Sequence, residues 1–232
     1  MAGHRRVGRV LRPGARILDL GAGTGAVTGE ALARGGRVTA IDAAPAMIAR
    51  LRRDYPRAEA AIMDAHELDF PDASFDVVVA SFVIHLLDDP DAAAREVRRV
   101  LVRGGLFALT VPGEPPGSEP PEPQIPSLWT EFSQYLAPGG GMGRPLDASA
   151  LLSGAGFAGA AAQPIEVNLP MSGGGDMLWR WHLSHGTVAF IDDLPPDRRE
   201  EFRRRLVAST DADGTRTLRT IATLWSARTT YA

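Results

Sequence analysis

Apolar positions along the chain follow two alternating patterns. Short runs, Arg16 to Leu20 (RILDL), Arg37 to Asp42 (RVTAID), Ala60 to Met63 and Phe75 to Ser81 (FDVVVAS), predict strands, the last a continuous β-branched run of the sort covered on both faces. Between them apolar residues recur every three or four positions. Ala26 to Arg34 predicts one helix, and Pro45 to about Tyr55 a second, with Met47, Ile48, Leu51 and Tyr55 on one face. Asp91 to Leu101 predicts a third, with Ala94, Val97 and Leu101 inward and Arg95, Arg98 and Arg99 in water. Gly104-Gly105 is expected to end it before a fifth strand, Leu106 to Val111. Strands alternating with helices predict an α/β fold with a mostly parallel sheet and right-handed crossovers.

The alternation breaks after Val111. Pro112 to Pro123 (PGEPPGSEPPEP) has six prolines in twelve residues and predicts an extended linker. Ile125, Leu128, Trp129, Phe132, Tyr135 and Leu136 then recur at helical spacing, a helix with an aromatic stripe, followed by a glycine-rich hinge at Pro138 to Gly143. Asp147 is placed to cap a helix through Ala155, Ala160 to Leu169 is a candidate strand, and Gly173 to Gly175 a flexible joint. Helices near Asp176 to Ser184 and Asp197 to Ser209 precede a last strand, Thr217 to Arg228, apolar on both faces and therefore expected inside the sheet. We expect a single domain over residues 1–232: a core of 10–111, 147–169 and 217–229, a linker and cover at 112–146, and a helical insertion at 170–215.

Composition removes several chemistries. All 25 basic residues are arginine, and the chain has no lysine and no cysteine. A Schiff-base lysine, a cysteine nucleophile, a disulfide and a thiolate zinc site are thereby excluded. A net charge of −3 with dispersed arginines argues against a nucleic-acid partner, and no metal site is expected. No apolar stretch is long enough for a membrane span and no start-of-chain segment reads as a signal peptide, so a cytoplasmic protein with a small-molecule substrate is expected. The Ala, Arg, Gly and Pro usage suits a bacterial GC-rich genome, and a homodimer is compatible with all of this.

The sharpest local signal is Asp19-Leu20-Gly21-Ala22-Gly23-Thr24-Gly25, between a strand and a helix. Glycines there let a ligand approach the backbone, and the helix N-terminus favours negative charge. Gly21, Gly23 and Ala26 also satisfy the dinucleotide fingerprint, so an NAD-dependent dehydrogenase stands as an alternative. Asp19 weighs against it, because a carboxylate at that place opposes a pyrophosphate and favours an ammonium or sulfonium.

The order I-L-D-L-G-A-G-T-G resembles the first motif of class I S-adenosylmethionine-dependent methyltransferases, and the resemblance runs over about residues 10 to 112. It implies a Rossmann-like seven-stranded, mostly parallel sheet with the last strand antiparallel, helices on both faces and helical cover insertions. Asp19 would face the methionine end of the cofactor, with Gly21, Ala22, Gly23 and Gly25 forming the loop around it. Asp42 would accept the ribose hydroxyls, Ala43 and Met47 would border the adenine, and Asp64-Ala65 would meet its amino group. Ser81 and Phe82 come from a fourth similar stretch, and Glu96 to Leu101 with Gly104-Gly105 from a fifth. The pattern is most similar to the branch that includes ubiquinone and menaquinone biosynthesis methyltransferases.

His85 follows strand four at the edge where ligands of open α/β sheets sit. Two readings stand for it, a general base and a histidine that packs or hydrogen-bonds in the pocket wall. Trp129, Phe132, Tyr135, Trp181, His182 and His185 are candidate substrate-binding residues, against core packing. The implied reaction is methyl transfer to a small, aromatic or apolar metabolite with an oxygen, carbon or nitrogen acceptor, giving S-adenosylhomocysteine. A protein that binds S-adenosylmethionine but catalyses a cyclisation or rearrangement is the other reading that keeps the fold. Fifteen residues precede the first strand, fewer than the resemblance leads one to expect, so the 112–145 segment is expected to cover the site.

Overall fold

Arg16–Leu20 forms β1, with every residue after Arg16 buried, as an unbroken apolar run flanked by helices requires. The computed structural model describes residues 13–113, 128–137, 146–170, 174–183, 187–212 and 217–230. After β1 come α1 (Ala26–Ala33), β2 (Arg37–Asp42), α2 (Pro45–Asp54), β3 (Glu59–Ile62) and β4 (Phe75–Ser81). A 3-10 turn at Ile84–Leu86 leads to α3 (Pro90–Val100) and β5 (Leu101–Pro112). The remaining elements are α4 (Leu128–Phe132) with a 3-10 turn at Ser133–Tyr135, α5 (Ala148–Gly154), β6 (Phe157–Pro170), α6 (Gly174–Leu183), α7 (Val188–Asp193), α8 (Pro196–Ala212) and β7 (Thr217–Thr229).

The seven strands are ordered β3-β2-β1-β4-β5-β7-β6, with β7 antiparallel to β5 and inside the sheet. The pairs β1–β2, β1–β4, β2–β3 and β4–β5 are all parallel. Chain order reverses between β1 and β4, which opens a crevice outside their carboxyl ends. Alternate residues of β1 serve opposite faces. Leu18 and Leu20 join the core built with Ala93, Ala94 and Val97 of α3 and Leu151 and Leu152 of α5. Ile17 packs with Ala31 and Leu32 of α1, and Ala40 of β2 packs with Ile48 and Leu51 of α2.

The chain divides into two compact units, one of residues 1–113, 146–165 and 222–232, the other of 114–145 and 166–221. The first contains the sheet core just described. The second is helical, with its own aromatic centre of Phe132, Leu178, Phe190, Ile191, Leu194, Phe202 and Leu206. Trp129 meets the rings of Phe190 and Phe202 edge-on at 4.9 and 4.8 Å, a favoured aromatic geometry. Glu131 and Arg205 form a bidentate pair, and the Arg198 guanidinium lies 4.6 Å from the Tyr135 ring centre. Among the described residues no helix is long and apolar enough to cross a membrane.

Two expectations need correction, and one helix was not expected. Helix α3 passes into β5 at Leu101 without a glycine stop, and Gly104 and Gly105 lie within the strand, where the pairing with β4 shifts register between Phe75 and Val77. A Cβ on Gly105 would press on the Val102 and Asp76 carbonyl oxygens, so close packing explains that glycine. Gly174 and Gly175 open α6, where a joint was expected. The α8 backbone at Val207 leaves no room for a Cβ on Gly175. The short helix α7 had no sequence counterpart. The 114–127 linker, the hinge at 138–145, Ile125, Gly173 and His185 lie outside the described residues.

Candidate functional site

The loop between β1 and α1 is built from both sides. A Cβ on Gly21 would overlap the Val83 isopropyl group, so the backbone there can approach Val83 only as glycine. Gly25, the N-cap of α1, is closed off in the same way by Tyr55 and Leu51. Gly23 differs: its φ is 53° and nothing lies within 4 Å of where its Cβ would be, so this side of the loop is open to a ligand. The loop is tied to β2 by the Ala22 amide, which donates to the Ile41 carbonyl at 2.9 Å.

Asp42, the last residue of β2, completes that tie. One carboxylate oxygen accepts from the Gly23 amide at 2.8 Å and the other from the Ala44 amide at 2.9 Å. Ala43 and Met47, on the same connection, are exposed. Asp19 lies beneath the loop, 1% exposed, and accepts the Thr28 hydroxyl at 2.6 Å. Burial raises its pKa to about 6, the Thr28 hydrogen bonds oppose that rise, and the Asp42 charge adds to it.

The Asp64 carboxylate, after β3, accepts from the His66 amide at 2.9 Å and pairs with its Nδ1 at 2.6 Å. Those bonds, the amide's first, hold its pKa below the usual carboxylate value. Ala65 is buried. The rest of this loop is latched to α3: Glu96 accepts from the Leu68 amide at 2.9 Å, and Arg99 donates to the Leu68 and Phe70 carbonyls at 2.7 Å each.

At the end of β4 the Ser81 hydroxyl lies 3.2 Å from that of Thr110, and Phe82 is 40% exposed. His85 sits in the following 3-10 turn, half-buried, and its Nδ1 has no hydrogen-bond partner among the described residues. Burial pushes its pKa below the ordinary histidine value, so the imidazole is neutral and able to accept a proton at neutral pH. Gly21, Gly23, Gly25, Asp42, Asp64, Ser81 and His85 thus follow the carboxyl ends of β1 to β4.

The expected substrate residues fall in the helical unit. Phe132 is 1% exposed and His182 7%, so both belong to that unit's core. The His182 ring lies 4.8 Å from both Trp129 and Trp181, with Nδ1 3.1 Å from the Thr187 hydroxyl. Tyr135 is exposed at 37% and Trp181 partly so. Thr28 and Thr110 were not singled out from the sequence. Thr110, a polar residue in an otherwise apolar strand, carried the signal that could have found it.

Residues 18–109 match the family described as methyltransferase domain. Malonyl-[acyl-carrier protein] O-methyltransferase of Halorhodospira halophila is 40% identical over 104 residues, 42% of this chain and 35% of that protein. Demethylmenaquinone methyltransferase of Corynebacterium urealyticum is 36% identical over 127 residues, 54% of this chain and 50% of that protein. The match therefore spans between a third and a half of these curated relatives. The crystal structure of YcgJ protein from Bacillus subtilis superposes with a TM-score of 0.62 at 20% identity, covering 99% of this chain and 100% of the other, and shows the fold alone. The glycine loop, which by itself left a dinucleotide open, sits in this sheet with an acid beneath it and another at the end of β2, and both acids lie within residues 18–109, the stretch that matches the methyltransferase domain.

Proposed function

We propose that the protein transfers the methyl group of S-adenosylmethionine to a protic atom of a small apolar or aromatic metabolite and releases S-adenosylhomocysteine. The observation that carries this reading is the Asp42 carboxylate, fixed by the Gly23 and Ala44 amides beside a loop whose middle glycine faces open space. An ionised carboxylate has about four acceptor positions, so roughly two remain for vicinal ribose hydroxyls. The site also fits the cofactor's charge, because burial makes an anion at Asp19 costly and a cationic group beside it would offset that cost.

When bound, the cofactor supplies a methyl group already activated on a sulfonium. The residues of this chain then bind, orient and move a proton. Asp19 would hold the methionine ammonium, Asp42 the ribose, and Asp64 and Ala65 the adenine edge. Ala43, Met47, Ser81 and Phe82 would form the apolar and hydroxyl-bearing walls. His85, kept neutral by burial, would take the proton that an oxygen, nitrogen or carbon acceptor loses. With this reading we carry the expectation of a bacterial, cytoplasmic protein with a small-molecule partner and no nucleic acid, compatible with a homodimer.

Calorimetry with S-adenosylmethionine and S-adenosylhomocysteine tests the reading. Binding of both is expected, weakened by Asp42→Ala, with S-adenosylhomocysteine formed when phenolic, enolic or amine acceptors are added. No binding at millimolar ligand, or an affinity indifferent to Asp42→Ala, overturns it.

A further inference from the structure

Phe82 has a φ of 57°, in the left-handed region that bulky side chains avoid. Such a conformation persists only where neighbouring groups over-determine it, and such sites cluster where function needs a fixed geometry. The neighbour here is Thr110 of β5, whose register partner across the parallel ladder is Ser81. The Phe82 amide donates to the Thr110 hydroxyl at 3.0 Å and to the Thr110 carbonyl at 3.1 Å. The same hydroxyl lies 3.2 Å from the Ser81 hydroxyl. One threonine side chain therefore spans the last residue of β4 and the first residue beyond it. Phe107, Ala108, Leu109 and Val111 around it are buried and apolar, so strand packing alone does not call for a hydroxyl at this position.

The turn that Thr110 holds has two consequences in the same unit. Val83 comes back against the glycine loop, close enough that Gly21 has no room for a Cβ. The chain then enters the 3-10 turn that carries His85, closed by the Leu86 amide donating to the Val83 carbonyl at 2.8 Å. We propose that Thr110 is a positioning residue: its hydroxyl fixes the left-handed backbone at Phe82 and through that turn sets the place of the glycine loop and of His85. It acts through Phe82 and Val83 and need not touch cofactor or acceptor itself. The ligand-binding part of this inference rests on the S-adenosylmethionine reading, and the hold on Phe82 does not.

The test compares Thr110→Val, which removes the hydroxyl at nearly constant shape, with Thr110→Ser, which keeps it. S-adenosylhomocysteine affinity is measured by calorimetry, and exchange of the Phe82 amide hydrogen by NMR without ligand. T110V is expected to weaken binding about tenfold and to speed exchange by a similar factor, with T110S within about twofold of the parent. In an F82G background, where the backbone adopts this φ freely, adding T110V is expected to cost less than about twofold. The proposal is overturned if T110V binds like the parent, if it lowers only the melting temperature, if T110S does not rescue, or if the cost is undiminished in F82G. If the parent protein binds no S-adenosylhomocysteine, the cofactor reading falls and the exchange arm decides alone: faster exchange in T110V supports the hold, and unchanged exchange overturns it.

Discussion

The carboxylate of Asp42 accepts the amide hydrogen of Gly23 at 2.8 Å, across the gap between the end of β2 and the loop that follows β1. The acid assigned to the ribose is therefore also a structural member of the loop beside which that ribose would lie. Its other oxygen holds the Ala44 amide one residue before α2 begins, so a single side chain sets the loop and the start of the helix together. Replacing it would remove the proposed ribose contact and two internal supports at once.

Asp42→Asn should keep the size of the side chain but lose one of its two acceptors. Hydrogen bonds to a charged group contribute about 1.5–3 kcal/mol each, so we expect S-adenosylhomocysteine affinity to fall about tenfold in Asp42→Asn and about a hundredfold in Asp42→Ala. Calorimetry of both variants with circular dichroism melting alongside checks the order. Equal losses would mean that the charge carries the whole interaction, and parent-like affinity in Asp42→Asn would mean that it does not matter.

Asp19 gives a pH dependence whose sign follows from its raised pKa. The folded protein holds a proton on this carboxyl up to about pH 6, whereas the unfolded chain releases it near 3.8. Folding stability should therefore be highest below that window and fall as pH rises through it, by up to about 3 kcal/mol from this group. A cationic ligand beside Asp19 favours the ionised form, so cofactor affinity should rise with pH over the same range and binding should release protons. Calorimetry at pH 5 and pH 7 in buffers of different ionisation enthalpy measures both. Affinity flat across this range would separate Asp19 from the ligand.

His85→Gln should leave S-adenosylhomocysteine affinity within about twofold and lower turnover by about a hundredfold or more, the scale of general-base catalysis. In the parent protein turnover should climb with pH through a pKa below the ordinary histidine value, because burial disfavours the protonated ring and the neutral ring is the base. That limb should vanish in the variant. An unchanged profile would assign His85 to the pocket wall.

The helical unit offers a contrast between a buried ring and an exposed ion pair. Phe202 is fully buried against Trp129, Phe132 and Phe190, so Phe202→Ala should cost about 3–5 kcal/mol. Glu131 and Arg205 are both more than two-fifths exposed, so solvent screens the pair and Glu131→Gln should cost far less than Phe202→Ala despite the bidentate geometry. Urea unfolding of the two variants tests the ranking.

The spans of β1, β2 and β4 were readable to the residue, because each is a short apolar run, too short for a buried helix. Glycines misled where their cause was a contact and not a helix end or a joint. A Cβ on Gly105 would meet first the Val102 carbonyl oxygen and then that of Asp76, and one on Gly175 the Val207 backbone; Asp76 and Val207 are distant in sequence and invisible to a local pattern. The acids at the ends of β1 and β2 were legible from their place after a strand and around a glycine loop. Two hydroxyls nearby were not: Thr28, which donates to Asp19, carries no signature in a helix, and Thr110 stood out only as a polar residue among apolar neighbours, with nothing to show that the Phe82 amide is its partner. The aromatic stripe from Trp129 to Tyr135 was recognised as a pattern, but burial of Phe132 and Trp129's ring contacts give it a place in a core that spacing alone could not choose.

Because β7 lies between β5 and β6, the sheet contains a slot that is filled last during synthesis. β5 and β6 can leave the ribosome with their facing edges unpaired, and roughly fifty residues of helical sequence must be made before the strand that joins them exists. Unpaired edges invite pairing with another chain. The nascent protein therefore has a defined interval of vulnerability to misassociation, which closes when Leu106 to Pro112 find their partners from Arg228 back to Ala222. Slowing translation between β6 and β7 would lengthen that interval without altering a single residue of the finished molecule.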